Sequence, residues 1–293
     1  MGGPRDSAVL EVLSSGMGIT VQDGGRIGWR KFGVPMGGAM DDHAARAANV
    51  MVDNAPDMPV LELLMQGQRF KVRQDCWLAI AGADGSSTIP VWHAHKLSVG
   101  SELEFPVSRH GVWIYVAVAG GFDADEAFGS RSASIRSEIG SAIEAGKMLR
   151  RLEDRRLQMP DSISGRGASW NEHRDYAKPP VLRVWPGPQW NAFPETARET
   201  LFENEWSVTS QSDRVGYRLA GESIEAPRID LISEPVRIGS IQVPANGQPI
   251  VTLRDGPTVG GYPKIGMVDP RDLSWLVQCR PNQAVRFRPY EPQ

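Results

Sequence analysis

The sequence predicts a mainly β protein of barrel or sandwich type with a few short helices. Two observations predict this class. Short runs rich in β-branched residues recur along the 293-residue chain, and turn residues bound most of them. Glycine (31 residues) and proline (22 residues) both exceed average usage, which favours many turns and short strands over long helices.

The strand-like runs occur in both halves of the chain. They are residues 8–13, 60–65, 69–72, 76–82, 112–120, 181–187, 235–243, 249–253 and 284–289. We expect the runs at residues 235–243 and 249–253 to pair as a hairpin, because Asn246-Gly247 between them favours a turn.

Three segments have the spacing of helices. Residues 40–54 begin with Asp41 as a plausible N-cap and place apolar residues on one face. Residues 194–204 are the second candidate. Residues 269–279 are the third, with Asp269 as the cap and a proline in the first turn.

Residues 158–180 have almost no apolar periodicity and are rich in Ser, Gly, Asp and Pro. We interpret this segment as a linker or a long loop. It divides the chain into a first subdomain, residues 1–157, and a second subdomain, residues 181–293.

The composition excludes several classes of protein. A net charge of −3 gives no basic balance for binding nucleic acid or an anionic membrane surface. No apolar run approaches the roughly 18 residues of a membrane span, and the first residues lack the apolar core of a signal peptide. We therefore expect a cytoplasmic protein, with Cys76 and Cys279 as reduced, buried thiols.

A glycine-rich loop leads into the first predicted helix, within residues 20–49. It contains neither of the common phosphate-binding glycine motifs, but it ends at a helix N-terminus, which favours an anion. Asp41 and Asp42 stand at that position, so Asp41 is either a plain N-cap or part of a binding site. Asn49, unusual inside a helix, makes either a buried structural hydrogen bond or a substrate contact.

Histidines offer little evidence for a metal site. His43 has no second ligand at a suitable spacing. His93 and His95 have i,i+2 spacing, so they share one face of a strand, either as two metal ligands or as part of a solvated surface.

Residues 211–221 bring Asp213, Arg214, Tyr217 and Arg218 together in a short polar-to-apolar transition. Neighbouring Asp and Arg side chains at a turn usually fix the loop by ion pairs. The alternative is that Arg214 binds an anion or a carboxylate.

Residues 254–266, RDGPTVGGYPKIG, are the strongest candidate site. Gly260 and Gly261 allow close approach of the backbone and could offer N–H groups to a carbonyl oxygen. Asp255 could orient or deprotonate an amide N–H, and Lys264 could offset developing negative charge. A turn alone needs neither charged residue.

These motifs resemble, in order, those of the biotin-dependent carboxyltransferase-like family, which includes KipA, the C-subunit of 5-oxoprolinase (PxpC), allophanate hydrolase subunit 2 and part of urea carboxylase. The resemblance covers about residues 9–290. The blocks that carry it include TVQDGGRIGWRKFGVPMGGAMDDHAARAANVMV, YVAVAGGFD, GSRSASIRSEIG, VWPGPQWNAF, SDRVGYRLAG and IGSIQVPANGQPIVTLRDGPTVGGYPKIGMV.

The resemblance implies two cyclophilin-like β-barrel subdomains and an obligate partner, a KipI-like (PxpB-like) protein. It implies ATP-dependent processing of a small amide or lactam, as in the conversion of 5-oxoproline to glutamate, with ATP and Mg acting at the level of the complex. The chain has no Met-Lys dipeptide of the kind that accepts biotin, so any biotin must arrive on another polypeptide. Departures from the family motifs include Ala133, Pro257 and Val259.

We assign the site on these grounds. Asp255 and Lys264 are the predicted catalytic residues. The predicted substrate-binding residues are Asp41, Asn49, Arg214, Gln242, Thr258, Gly260, Gly261 and Tyr262.

The leading hypothesis is that the chain is one component of a 5-oxoprolinase-like enzyme. Two alternatives stay open. One is a regulatory protein that antagonises a KipI-like kinase inhibitor by binding it. The other is a carboxyltransferase component that acts on urea or a related amide.

Overall fold

The computed structural model describes residues 8–84, 89–152 and 166–291. The chain packs into two compact units. The first combines Met1–Arg26 with Gly37–Asp175, and the second combines Ile27–Met36 with Tyr176–Gln293. Ten residues from the N-terminal half therefore belong to the second unit, which the division predicted from sequence does not anticipate. Residues 158–165 of the predicted linker lie outside the described part of the chain.

The first unit contains two antiparallel sheets and a helix. Its elements are β1 (Ala8–Ser15), β2 (Ile19–Gln22), α1 (Asp42–Met51), β3 (Val60–Leu64), β4 (Gln68–Val72), β5 (Cys76–Gly82), β6 (His93–Leu97), β7 (Glu102–Phe105), β8 (Trp113–Val118) and β9 (Met148–Arg150). One sheet has the order β2-β3-β8-β5-β6 and the other β7-β4-β1-β9.

The two sheets of the first unit share one hydrophobic core. Leu10 and Phe70 of one sheet belong to the same buried cluster as Leu61, Ile80 and Val116 of the other. Helix α1 packs on the opposite face of β5 and β8. Both of these strands are therefore buried on two faces, which explains why their sequences are continuous apolar runs rather than alternating ones.

The second unit contains a closed barrel. Its elements are β10 (Val181–Pro186), α2 (Glu195–Glu203), β11 (Glu205–Val208), β12 (Gly216–Ala220), β13 (Glu234–Pro235), β14 (Ser240–Gln242), β15 (Ile250–Thr252), β16 (Val259–Gly260), β17 (Lys264–Val268), α3 (Pro270–Leu276) and β18 (Ala284–Pro289). The barrel has the order β10-β17-β14-β15-β12-β11-β18, and the parallel pairing of β10 with β18 closes it. Strands β13 and β16 form a separate two-stranded ribbon.

The structure confirms the predicted mainly β class and the three predicted helices. It also confirms the expected hairpin, since Ile241 of β14 pairs with Val251 of β15. The predicted strand at residues 235–243 is instead two strands, because the chain turns between them at Gly239, where φ is 88°. Strand β17 was not predicted from sequence, which assigned its first residues to a glycine-rich loop.

Both cysteines are buried free thiols, as predicted. Burial raises the pKa of Cys76 to about 11 and that of Cys279 to about 12. Among the described residues, no helix combines the length and apolar character that crossing a bilayer requires.

Candidate functional site

The predicted site residues are divided between the two units. Asp41 and Asn49 belong to the first unit, and the others belong to the second.

Asp41 is completely buried and caps helix α1. Its Oδ1 accepts a hydrogen bond from the Ala44 N–H at 3.0 Å. Its own N–H donates to the hydroxyl of Tyr115 (2.7 Å), which donates to the carboxylate of Glu62 (2.8 Å). The protein's own carboxylate thus occupies the helix N-terminus that the sequence offered as an anion site. Burial and the adjacent Glu62 hold the pKa of Tyr115 well above its usual value.

The sequence left two roles open for Asn49, a buried structural hydrogen bond or a substrate contact. In the structure, Asn49 makes buried structural hydrogen bonds. Its Nδ2 donates to the carbonyls of Met58 (2.8 Å) and Pro56 (3.3 Å). Its Oδ1 accepts from the side chain of Asn54 (3.0 Å), which also binds the backbone at Val118. These contacts tie α1 to the loop that follows it and to strand β8.

The histidines considered as metal ligands bond to the backbone. His43 pairs with the carbonyl of Glu172 at 2.8 Å. His93 and His95 lie side by side on β6, and their rings contact the carbonyls of Val91 and Pro90. No group of three or more His, Cys, Asp or Glu side chains within the described ranges is arranged to hold a metal ion.

In the second unit, Arg214 and Asp255 form a bidentate ion pair. Arg214 Nε donates to Oδ2 at 2.8 Å and Nη2 donates to Oδ1 at 3.3 Å. The Asp255 side chain is only 5% exposed, and the backbones of the two residues are also hydrogen-bonded. Asp213 shapes the same turn by accepting from the N–H groups of Val215 and Gly216. The pair therefore clamps the loop after β15 to the turn before β12.

Lys264 begins strand β17 and forms the centre of a partly buried polar cluster. Its Nζ donates to Oε1 of Glu234 at 2.5 Å. Oε1 also accepts from Gln189 Nε2 (2.8 Å), and Gln189 Oε1 accepts from the Lys264 N–H (3.0 Å). The hydrogen bond from Lys264 is the largest cause of the lowered pKa of Glu234.

Gln242 lies directly beside Lys264, because the two residues are register partners on β14 and β17. Gln242 is 5% exposed, and its Nε2 donates to the hydroxyl of Thr252 at 2.7 Å. A Cβ on Gly260 would lie 3.2 Å from Gln242 Oε1 and 3.0 Å from a methyl of Val236. Glycine at this position thus lets the ribbon pack closely against the barrel.

The rest of the predicted loop is more open. Gly261 has ordinary space around it, and Tyr262 is half exposed. The Thr258 carbonyl accepts a hydrogen bond from the N–H of Val236, which extends the ribbon beyond β13 and β16. Two residues of this loop depart from the family motifs. Val259 is mostly exposed on the ribbon, and the carbonyl of Pro257 accepts a hydrogen bond from Arg30.

Arg30 comes from the N-terminal glycine-rich loop but contacts the ribbon. Its Nη2 donates to the carbonyls of Val236 (2.7 Å) and Pro257 (2.8 Å), which flank the two ribbon strands. Partial burial lowers the pKa of Arg30. One guanidinium thus joins both strands of the ribbon at one end.

Sequence reasoning missed Arg30, Gln189 and Glu234. Gln189 lies in one of the quoted motif blocks, so its polar side chain in an apolar-aromatic context was an available signal. Glu234 precedes a strand-like run, and nothing in its spacing connects it with Lys264. The third departure, Ala133, is buried in the first unit against Gly140.

Comparisons with known proteins place the chain in a family. The model of the carboxyltransferase domain, subdomain A and B, matches residues 32–289. The chain therefore belongs to the carboxyltransferase subdomain A and B family. It is similar to the C-subunit of 5-oxoprolinase from Haemophilus influenzae (32% identity) and from Escherichia coli (33% identity), over 95% of this chain and 90% of each relative.

Solved structures show the same fold. TTHA0988 superposes with a TM-score of 0.88 at 33% identity, over 98% of this chain and 56% of that one. Urea amidolyase of Kluyveromyces lactis superposes with a TM-score of 0.88 at 25% identity, over 99% of this chain and 19% of that one. This chain therefore spans little more than half of one solved relative and about a fifth of the other.

Proposed function

We propose that this chain is one component of a heteromeric, ATP-dependent enzyme that opens the lactam of 5-oxoproline to give glutamate. The observation that carries the proposal is its similarity, along nearly the whole length of both chains, to two proteins named as the C-subunit of 5-oxoprolinase. We propose a KipI-like (PxpB-like) protein as its partner.

The polar cluster around Lys264 supports chemistry on an amide. Hydrolysis of an amide builds negative charge on the carbonyl oxygen, and a fixed ammonium group offsets such charge. Lys264 is 2% exposed, and Glu234 holds its ammonium group in place. We keep Asp255 as a site residue, because its ion pair with Arg214 fixes the loop that leads to Lys264.

Among the described residues, no group of three or more His, Cys, Asp or Glu side chains could hold a metal ion by itself. We propose that ATP and magnesium act at the level of the complex. Biotin, if the complex uses it, belongs to another polypeptide.

The test is ATP hydrolysis by this chain co-expressed with its KipI-like partner, assayed with 5-oxoproline, urea, allophanate and related lactams. We expect stimulation by 5-oxoproline and formation of glutamate. Asp255→Ala is expected to lower the stimulated turnover by at least 10-fold, whereas Glu205→Ala is expected to leave it unchanged. Glu205 is a suitable control because it is an exposed barrel carboxylate paired with Arg286.

A stable complex that no amide or lactam stimulates would overturn the proposal. Normal 5-oxoproline turnover in Asp255→Ala would instead retain the proposed reaction and remove Asp255 from its site.

A second candidate function is carboxyl transfer to urea or a related amide. Two observations favour it, namely the carboxyltransferase family model and the similarity to a urea amidolyase. It requires biotin on another protein. Turnover of urea that depends on both bicarbonate and a biotinylated protein would support this candidate over the first.

A further inference from the structure

We propose that Glu234 is the residue that accepts the N–H of the amide or lactam substrate, and that Lys264 and Gln189 position it. This inference rests on the proposed function and adds the residue that recognises the reacting group. It differs from the sequence-based assignment, in which Asp255 receives the amide N–H.

The two oxygens of Glu234 have different surroundings. Oε1 accepts hydrogen bonds from both Lys264 Nζ and Gln189 Nε2. Within the described part of the chain, Oε2 has no hydrogen-bond partner. One oxygen is therefore fixed by the protein, while the other can accept a hydrogen bond from a ligand.

The exposed fractions of the two side chains show that Glu234 lies nearer the surface than Lys264. The Glu234 side chain is 31% exposed and that of Lys264 only 2%. A ligand that approaches from solvent therefore meets the carboxylate before the ammonium group. Asp255 is a weaker candidate for the first contact, because its side chain is 5% exposed and Arg214 binds both of its oxygens.

The backbone around Glu234 is held in place from two directions. Glu234 pairs with Gly260 across the ribbon, and Arg30 joins the two ribbon strands through the carbonyls of Val236 and Pro257. Gln189 holds the carboxylate and the Lys264 backbone at the same time. Glu234 Oε2 is thus presented by a fixed framework, as recognition of a small ligand requires.

A carboxylate suits the N–H of an amide. It accepts hydrogen bonds and cannot donate them when ionised, so it selects a donor such as an amide or lactam N–H over an ether or ester oxygen. The paired ammonium group keeps this carboxylate ionised. The site is thereby specific for substrates that carry an N–H next to the carbonyl.

The experiment compares binding of 5-oxoproline with that of its lactone analogue, 5-oxotetrahydrofuran-2-carboxylate, in which oxygen replaces the N–H. Both dissociation constants are measured calorimetrically on the complex with its KipI-like partner. We expect wild type to bind the lactam about 10- to 100-fold more tightly, as for loss of a hydrogen bond to a charged group. In Glu234→Gln this ratio should fall close to one.

Further variants guard against effects on folding. Glu234→Gln leaves the buried ammonium group without its counter-charge, so the double variant Glu234→Gln/Lys264→Met removes both charges and should also lose the preference for the lactam. Lys264→Met alone should reduce the preference if Lys264 positions Glu234. The matched control is Glu205→Gln, which should keep the wild-type ratio.

The outcomes separate this inference from the proposed function. If the wild-type complex neither binds nor converts 5-oxoproline, the proposed function fails and this inference fails with it. If the wild-type complex prefers the lactam and folded Glu234→Gln keeps the same preference, the proposed function stands and the role of Glu234 is overturned.

Discussion

Two ion pairs in the second unit differ in which partner is accessible. In one, Arg214 is 17% exposed and Asp255 5%, and both carboxylate oxygens are engaged. In the other, the carboxylate of Glu234 is the accessible partner and the ammonium of Lys264 is buried. The first geometry fixes two loops, whereas the second presents a charged oxygen to solvent. The contrast explains why we place the substrate contact at Glu234.

Asp255→Ala should therefore reduce stability as well as activity. Removing the carboxylate breaks the bidentate ion pair of a largely buried guanidinium, and we expect the free energy of unfolding to fall by about 1–3 kcal/mol. Urea denaturation of the wild type, Asp255→Ala and the control Glu205→Ala provides the measurement. An unchanged unfolding midpoint in Asp255→Ala would show that the clamp contributes nothing to stability.

At the scale of elements, caps and short ribbons place the polar groups. Helix α1 begins at a buried aspartate cap, and α3 begins at Asp269, whose carboxylate accepts from the Arg271 N–H. The two-stranded ribbon is too short to be stable alone, and its contacts with Arg30 and the barrel compensate for that. Each of these elements is thus stabilised by a side chain that does not belong to its backbone hydrogen bonds, namely an aspartate cap for each helix and Arg30 for the ribbon.

Asp41→Ala should destabilise the first unit through helix α1. The side chain satisfies the N–H of Ala44, and loss of such a cap costs about 1 kcal/mol, with a range of about 0.5–2 kcal/mol. The change is measured as a shift in the urea unfolding transition. Glu195→Ala is the comparison, because Glu195 lies in the first turn of α2 without capping it, and it should cost less. Equal costs for the two variants would contradict the capping role.

At the scale of the whole molecule, two carboxylates, Asp269 and Glu234, are held in their charged form. The Arg271 side chain keeps the pKa of Asp269 far below its usual value of 3.8, and Lys264 lowers the pKa of Glu234 from its usual 4.5. Both groups bind protons more weakly in the folded state than in the unfolded state. Their stabilising contribution is therefore complete above these usual values and is lost as pH falls toward the lowered folded values.

We accordingly expect the free energy of unfolding to be nearly constant between pH 7 and about pH 5 and to decrease in acid below about pH 4. Urea titrations at a series of pH values test this dependence. Asp269→Asn, which cannot titrate, should show a smaller decrease between pH 4 and pH 3. A decrease as steep as that of the wild type would exclude Asp269 as a source of the acid sensitivity.

Local sequence patterns predicted elements whose apolar spacing is strong. Strand β5 matches its predicted run at both ends, and α1, α2 and α3 begin within two residues of prediction. Strand β17 was missed because its five residues include Lys264 and a glycine, and its pairing depends on β10 and β14 rather than on its own composition. The sequence identified the candidate loop because charged residues and glycines are frequent there. It did not identify the residues that pair with Asp255 and Lys264.

The sequence by itself determined the mainly β class, the helix caps, the hairpin and the family, because these depend on neighbouring residues or on ordered motifs. Only the tertiary structure decided which charges meet. Glu234 lies 30 residues from Lys264 and Gln189 lies 75 residues from it, while Arg30 is more than 200 residues from the ribbon that it joins. Such contacts arise from closure of the barrel and from the placement of Ile27–Met36 in the second unit. No local spacing encodes that placement, because it is set by the packing of the whole unit.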